Sequence, residues 1–164
     1  RTFYICQTFV EDSRMDFKTF NERVVNPLKS ILKNSSELNL CLHPRSDKSL
    51  YEDLFSFSNV KEDKFSTKYF NEEYLFIGHY STIIFNLIMA NERVLLINLD
   101  WDPLPEFIYE SSSLCLHWAD FIVHPQKLNL DLISYSRPNR QFQTMFENSY
   151  INTTSIKNLL DLIF

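Results

Sequence analysis

The chain has 164 residues, 45% of them hydrophobic and 23% charged, which is the composition of a soluble globular protein with room for one sizeable core. Its net charge of −5 excludes a general nucleic-acid surface, because that requires a basic stripe. No apolar run reaches the roughly 18 residues of a bilayer-spanning helix, and no signal peptide is visible.

Residues 2–10 (TFYICQTFV) are an apolar, β-branched and aromatic run, the pattern of a buried strand. Over 16–33, Phe17, Phe20, Val24, Leu28, Ile31 and Leu32 fall at helical spacing, with Pro27 the point where the helix kinks or splits. A short strand is expected at 38–42 (LNLCL), ended by His43-Pro44. The stretch 45–68 is polar and poorly patterned, with a short helix expected over 49–55. Next come a strand at 74–77, a helix from Ser81 to about Ala90, and a continuous apolar strand at 94–99 (VLLINL). Residues 101–105 read as loop, 106–118 as mostly helical and 120–124 (DFIVH) as a last strand. Residues 126–150 look irregular, and 156–164 form a closing amphipathic helix. The cysteines, Cys6, Cys41 and Cys115, are 3 in number and lie in apolar runs without a CxxC, so they read as buried reduced thiols of a cytoplasmic protein.

Continuous apolar strands separated by helices predict an α/β fold, a Rossmann-like parallel sheet covered by helices on both faces. Such sheets bind ligands beyond the carboxyl ends of their strands. Polar residues gather at those ends in three places: Glu11-Asp12, His43-Pro44-Arg45, and Gly78 to Thr82.

Gly78 is the only glycine in the chain. At a strand-to-helix turn it points to a backbone with positive φ or to the close approach of a ligand. Ser81 and Thr82 after it can offer hydroxyls and free amides to an anion, while the plainer role of Ser81 is a helix N-cap. The stretch is neither a Walker A loop nor a dinucleotide fingerprint. His43, held extended by Pro44, can bond a phosphate and hand a proton to a leaving group. Arg45 can add a two-pronged phosphate contact, or simply pair with Asp47. Asp12 can act as a general base if its surroundings raise its pKa, or stand in a solvated turn. The histidines and cysteines show no metal-ligand spacing, and Asp100-Trp101-Asp102 reads as a solvated loop rather than a cation or sugar site.

Taken together and in order, Glu11-Asp12-Ser13, His43-Pro44 and Ser81-Thr82 resemble the motifs of bacterial sialyltransferases: an acidic pair with glycine, an His-Pro, and a Ser-Ser or Ser-Thr pair. The likeness is to the lipooligosaccharide sialyltransferase family (glycosyltransferase family 52), with the capsule polysialyltransferases as relatives. It covers roughly the first hundred residues, and QTFVED and GHYST carry most of it. Ser13 departs from the family's glycine, and a serine fits that turn at negative φ.

The resemblance implies a GT-B-like enzyme of two domains. Residues 1–164 would be its single carboxyl-terminal, nucleotide-sugar-binding domain. It implies inverting, metal-independent transfer of sialic acid from CMP-sialic acid to a lipooligosaccharide or capsule glycan, with no cofactor. Asp12 would deprotonate the acceptor hydroxyl and His43 would assist departure of the CMP phosphate. Pro44, Arg45, Gly78, Tyr80, Ser81 and Thr82 would form the nucleotide site. The protein would be cytoplasmic, with peripheral association at the inner face of the bacterial inner membrane and a homodimer both possible. Two alternatives remain open: a CDP-glycerol glycerophosphotransferase of teichoic-acid type, which Tyr80-Ser81-Thr82 fits nearly as well, and a non-catalytic α/β interaction domain.

Overall fold

The computed structural model describes residues 1–33, 37–64, 74–79, 81–100 and 114–123. In chain order these form β1 (Thr2–Ile5), α1 (Phe17–Phe20), a wide π-helical turn (Asn21–Val25), α2 (Asn26–Leu32), β2 (Leu38–Cys41), a 3₁₀ turn (Lys48–Tyr51) and α3 (Glu52–Phe55). Then follow β3 (Val60–Asp63), β4 (Leu75–Gly78), α4 (Thr82–Met89), β5 (Arg93–Asn98), β6 (Leu114–His117) and α5 (Trp118–Val123). All neighbouring strands are parallel, in the order β3-β2-β1-β4-β5-β6. This is the order of a doubly wound Rossmann-like sheet, in which chain direction across the sheet reverses between β1 and β4.

Period-two alternation sends successive side chains to opposite faces, and both faces are covered, so the inner strands are mostly apolar, and the buried Asn39 of β2 donates to the Thr2 carbonyl and to Glu37. On one face Tyr4, Leu40, Ile77 and Leu95 pack with Phe20, Val24 and Leu28 of the first helical segment, with Leu54 of α3 and with Phe121 of α5. On the other, Phe3, Ile5, Phe76 and Val94 lie beneath Ile84, Leu87 and Ile88 of α4. Each such fully buried side chain contributes about 1.5–3 kcal/mol relative to exposure. Among the described residues no helix is long and apolar enough to cross a membrane.

Three details differ from the sequence pattern, and one, the change of helix at Pro27, agrees with it. The first strand ends at Ile5 rather than residue 10, because the amides of Asp12, Ser13 and Arg14 turn back onto the carbonyls of Thr8, Val10 and Phe9. The helix over 16–33 does change at Pro27. The turn before it widens, with the Asn26 amide reaching back to Asn21, which eases the clash of a proline ring with the preceding turn. β3 (VKED) was unpatterned because it is a sheet edge: Val60 is buried while Lys61 and Glu62 face solvent, and edge charge discourages strand addition.

The last strand is residues 114–117, and 118–123 is helix, the reverse of what the apolar run DFIVH suggested. The Asp120 carboxylate accepts the His117 amide at 3.0 Å, a reach-back contact that starts a helix. Phe121 is then buried, whereas Val123 is 66% exposed, which a buried strand would not allow. Residues 101–113, with the expected loop at 101–105, and everything expected from 124 onward lie outside the described residues.

Candidate functional site

The β1/β4 reversal leaves a crevice at the carboxyl ends of those strands, the place where such sheets take ligands. It holds a cavity of about 320 Å³. Asp12, His43, Ser81 and Thr82 all line it, so one residue or pair from each of the three clusters meets there, whereas Pro44 and Arg45, expected in the nucleotide site, do not line it, and Arg45 reaches its edge through Asp12. Cys6 and Thr8 from the end of β1 complete its wall. A more open groove of about 540 Å³ adjoins it, shares Arg14 and runs past Ser13 and Thr19.

Asp12 is held by its neighbours. The Thr8 hydroxyl donates to Oδ2 at 2.6 Å, and the Arg45 guanidinium forks onto both oxygens at 2.7 and 3.2 Å. Those contacts, the Thr8 bond first and Arg45 second, keep the Asp12 carboxyl below the usual carboxylate range, the opposite of the raised pKa expected of a general base at this position. Arg45 therefore pairs with Asp12 and not with Asp47, whose own carboxylate caps the 3₁₀ turn at Ser49. Beside them, Glu11 Oε1 accepts the Asp47 amide at 2.6 Å and ties the loop after β1 to the loop after β2.

His43 stands at the rim, exposed, in a turn closed by the Ser46 amide on the His43 carbonyl, with Pro44 inside that turn. Its Nδ1 accepts the Arg45 amide at 3.1 Å. A nitrogen that accepts carries no proton, so in the neutral ring Nε2 bears the N–H.

Ser81 is the N-cap of α4: its hydroxyl accepts the Ile84 amide at 3.2 Å. That leaves the amides of Thr82 and Ile83, in the first turn, without an intrahelical acceptor beside the cavity. A helix start with its amides open and a hydroxyl alongside suits an anion.

Gly78 has no positive φ, contrary to one expectation for it, and it does not line the cavity. Its close approach is to a side chain and not to a ligand. A Cβ at residue 78 would meet Ile84 Cδ1 at 2.6 Å and Cγ1 at 2.8 Å. The missing side chain lets the first turn of α4 seat directly on the end of β4. The left-handed residue is Ser13, with φ 56°, in place of the negative φ expected for a serine there. Tyr80 lies outside the described residues.

Two contributors were not marked by the sequence. Thr8 was hidden inside what read as a strand, yet its hydroxyl orients Asp12. His79, 3% exposed, lies under the crevice between Tyr4 and Phe9. Its Nδ1 is 2.9 Å from the Ile97 carbonyl, which can only accept, so Nδ1 carries the proton and Nε2 accepts the Tyr4 hydroxyl at 2.9 Å. Burial pushes its pKa down to about 4, and the ring is neutral at neutral pH. It pins the exits of β1, β4 and β5 together.

A second polar cluster closes the far end of the same edge. Asp100 (φ 74°) accepts from His117 Nε2 and, at 3.0 Å, from Trp118 Nε1. Desolvation opposes its ionisation, but those bonds outweigh it and hold its pKa low. Arg23 stacks over Trp118 at 5.3 Å and donates to the Leu99 carbonyl at 2.6 Å. Among the described residues no three His, Cys, Asp or Glu side chains gather where they could hold a metal ion. Comparison with protein-family models, with curated proteins and with solved structures finds no match to this chain.

Proposed function

We propose that this chain is the nucleotide-sugar-binding domain of a GT-B-type glycosyltransferase that moves sialic acid from CMP-sialic acid to a lipooligosaccharide or capsule glycan, with inversion and without a metal. One observation carries the reading. Asp12, His43 and Ser81-Thr82, which are far apart in sequence, line a single cavity at the β1/β4 reversal.

Each group has a task that suits its chemistry. The acceptor hydroxyl attacks the anomeric carbon, and Asp12 takes its proton. The bond from that carbon to the phosphate oxygen breaks, and the electron pair leaves with CMP. The growing negative charge faces the His43 Nε2 proton, the Ser81 and Thr82 hydroxyls and the first-turn amides of α4. Fixed donors aimed at charge that develops in the transition state lower the barrier. The adjoining groove past Arg14 gives the sugar and the acceptor room.

Calorimetric titration with CMP, UMP and GMP tests the reading, with His43→Ala alongside. CMP should bind more tightly than the other two, and His43→Ala should weaken it about tenfold, the effect of losing one charge-assisted hydrogen bond. Equal binding of all three nucleotides would sink the sialic-acid donor.

A further inference from the structure

We infer that Asp12 occupies Arg45 in place of the ligand's anion, so that a phosphate enters this cavity by exchange and sets Asp12 free as it binds. The inference rests on the reading of the β1/β4 cavity as a phosphate seat. A guanidinium presents parallel N–H donors that match a carboxylate and a phosphate equally well. Here both prongs lie on Asp12, at 2.7 and 3.2 Å. Asp12 lines the cavity in which the incoming anion would sit.

The pair is built to let go. Arg45 is 64% exposed and Asp12 30%, and exposed pairs of this kind hold weakly because water screens them. The loops that carry the two residues stay joined without the pair, because Glu11 accepts the Asp47 amide, and the Thr8 hydroxyl still holds Asp12 within its own loop. A departing Arg45 therefore leaves the backbone in place. His43 also stays positioned, since it is the Arg45 amide, not the Arg45 side chain, that holds its Nδ1.

The consequence is an order of events. While Arg45 sits on it, Asp12 has both oxygens engaged and makes a poor proton acceptor. Once the donor phosphate takes the guanidinium, Asp12 keeps the Thr8 bond and gains freedom to receive a proton from the acceptor. The base is available only when the donor is bound.

A double-mutant cycle read by calorimetry with CMP and with inorganic phosphate, at fixed ionic strength, tests the exchange. The proteins are the full chain, Asp12→Asn, Arg45→Ala and the double variant. Arg45→Ala should weaken both ligands. Asp12→Asn should tighten them about two- to fivefold, the range expected from freeing an exposed pair. In the Arg45→Ala background the same change removes only general repulsion, so the tightening should be smaller. Equal or greater tightening without Arg45 overturns the exchange. Should Asp12→Asn not fold, Asp12→Ser removes the same charge from Arg45 and should tighten CMP in the same range; an unchanged affinity there also overturns it.

The outcomes separate the two ideas. CMP selectivity without the cycle's asymmetry overturns the exchange alone and leaves the proposed function standing. The asymmetry with phosphate, but equal affinity for CMP, UMP and GMP, upholds the exchange and removes the cytidine donor. No binding of any ligand by any of the four proteins overturns both.

Discussion

The carboxyl edge of the sheet carries two clusters built from the same parts. At the β1/β4 crevice, Asp12 stands beside His43 and a left-handed residue, Ser13. At the β5/β6 end, Asp100 is itself left-handed and meets His117. In both, the histidine Nδ1 accepts the amide two residues on, Arg45 in one case and Ala119 in the other, each at 3.1 Å. The clusters differ in what remains open. His117 has its second nitrogen on Asp100, and Trp118 fills the other carboxylate oxygen, so the far cluster is closed upon itself. His43 keeps Nε2 for whatever enters the cavity, and Asp12 is held by an exposed arginine. A satisfied cluster fastens the fold, whereas one with an open donor and an exchangeable partner can serve a ligand.

The largest expected effect belongs to the buried histidine beneath the crevice. His79 is neutral when folded, with a pKa of about 4 against 6.5 unfolded. The unfolded chain therefore binds the extra proton between those values, and stability rises with pH across that window. The contribution is complete above about pH 6.5 and is lost as pH falls towards 4, on the order of 3 kcal/mol. Urea unfolding at pH 7 and pH 4.5 measures it, and His79→Gln should flatten the slope. An unchanged slope would mean that other groups carry it.

Smaller, and aimed at the comparison itself, is the pair Asp100→Ala and His43→Ala. The first leaves the His117 and Trp118 donors unanswered and puts alanine at φ 74°, so it should cost about 2 kcal/mol. It should leave CMP affinity unchanged. The second removes an exposed ring and should shift stability by less than about 0.5 kcal/mol, its effect falling on the nucleotide. Reversal of that pattern would exchange the roles assigned to the two clusters. The smallest change is a gain: Ser13→Gly relieves a left-handed serine and should add roughly 0.5–1 kcal/mol, seen as a rise in the thermal midpoint.

The inner strands were legible because burial on both faces favours near-continuous apolar runs, as FYI and VLLI show. The edge strand VKED was not, since solvent on its flank permits charge. The closing segment was inverted because FIV is apolar both as strand and as helix, and the deciding contact is a single carboxylate on one amide, Asp120 to His117. At the site, the residue types near the strand ends could be read, but the bonds among them could not. Arg45 lies two residues from Asp47 and thirty-three from Asp12 in sequence, yet it binds the distant carboxylate. Likewise, Gly78 announced a close approach without saying what approaches, and only the packing of Ile84 answers that.

Composition and periodicity by themselves determined that this chain builds a parallel α/β sheet with polar residues at its carboxyl edge, because water sorts apolar from polar side chains position by position. Tertiary structure decided the strand order that opens the crevice between β1 and β4, the pairing of Arg45 with Asp12 and the tautomers of His43, His79 and His117. Those depend on which groups meet across the fold, and short-range hydrogen bonds and ion pairs form only after distant segments have been brought within a few ångströms.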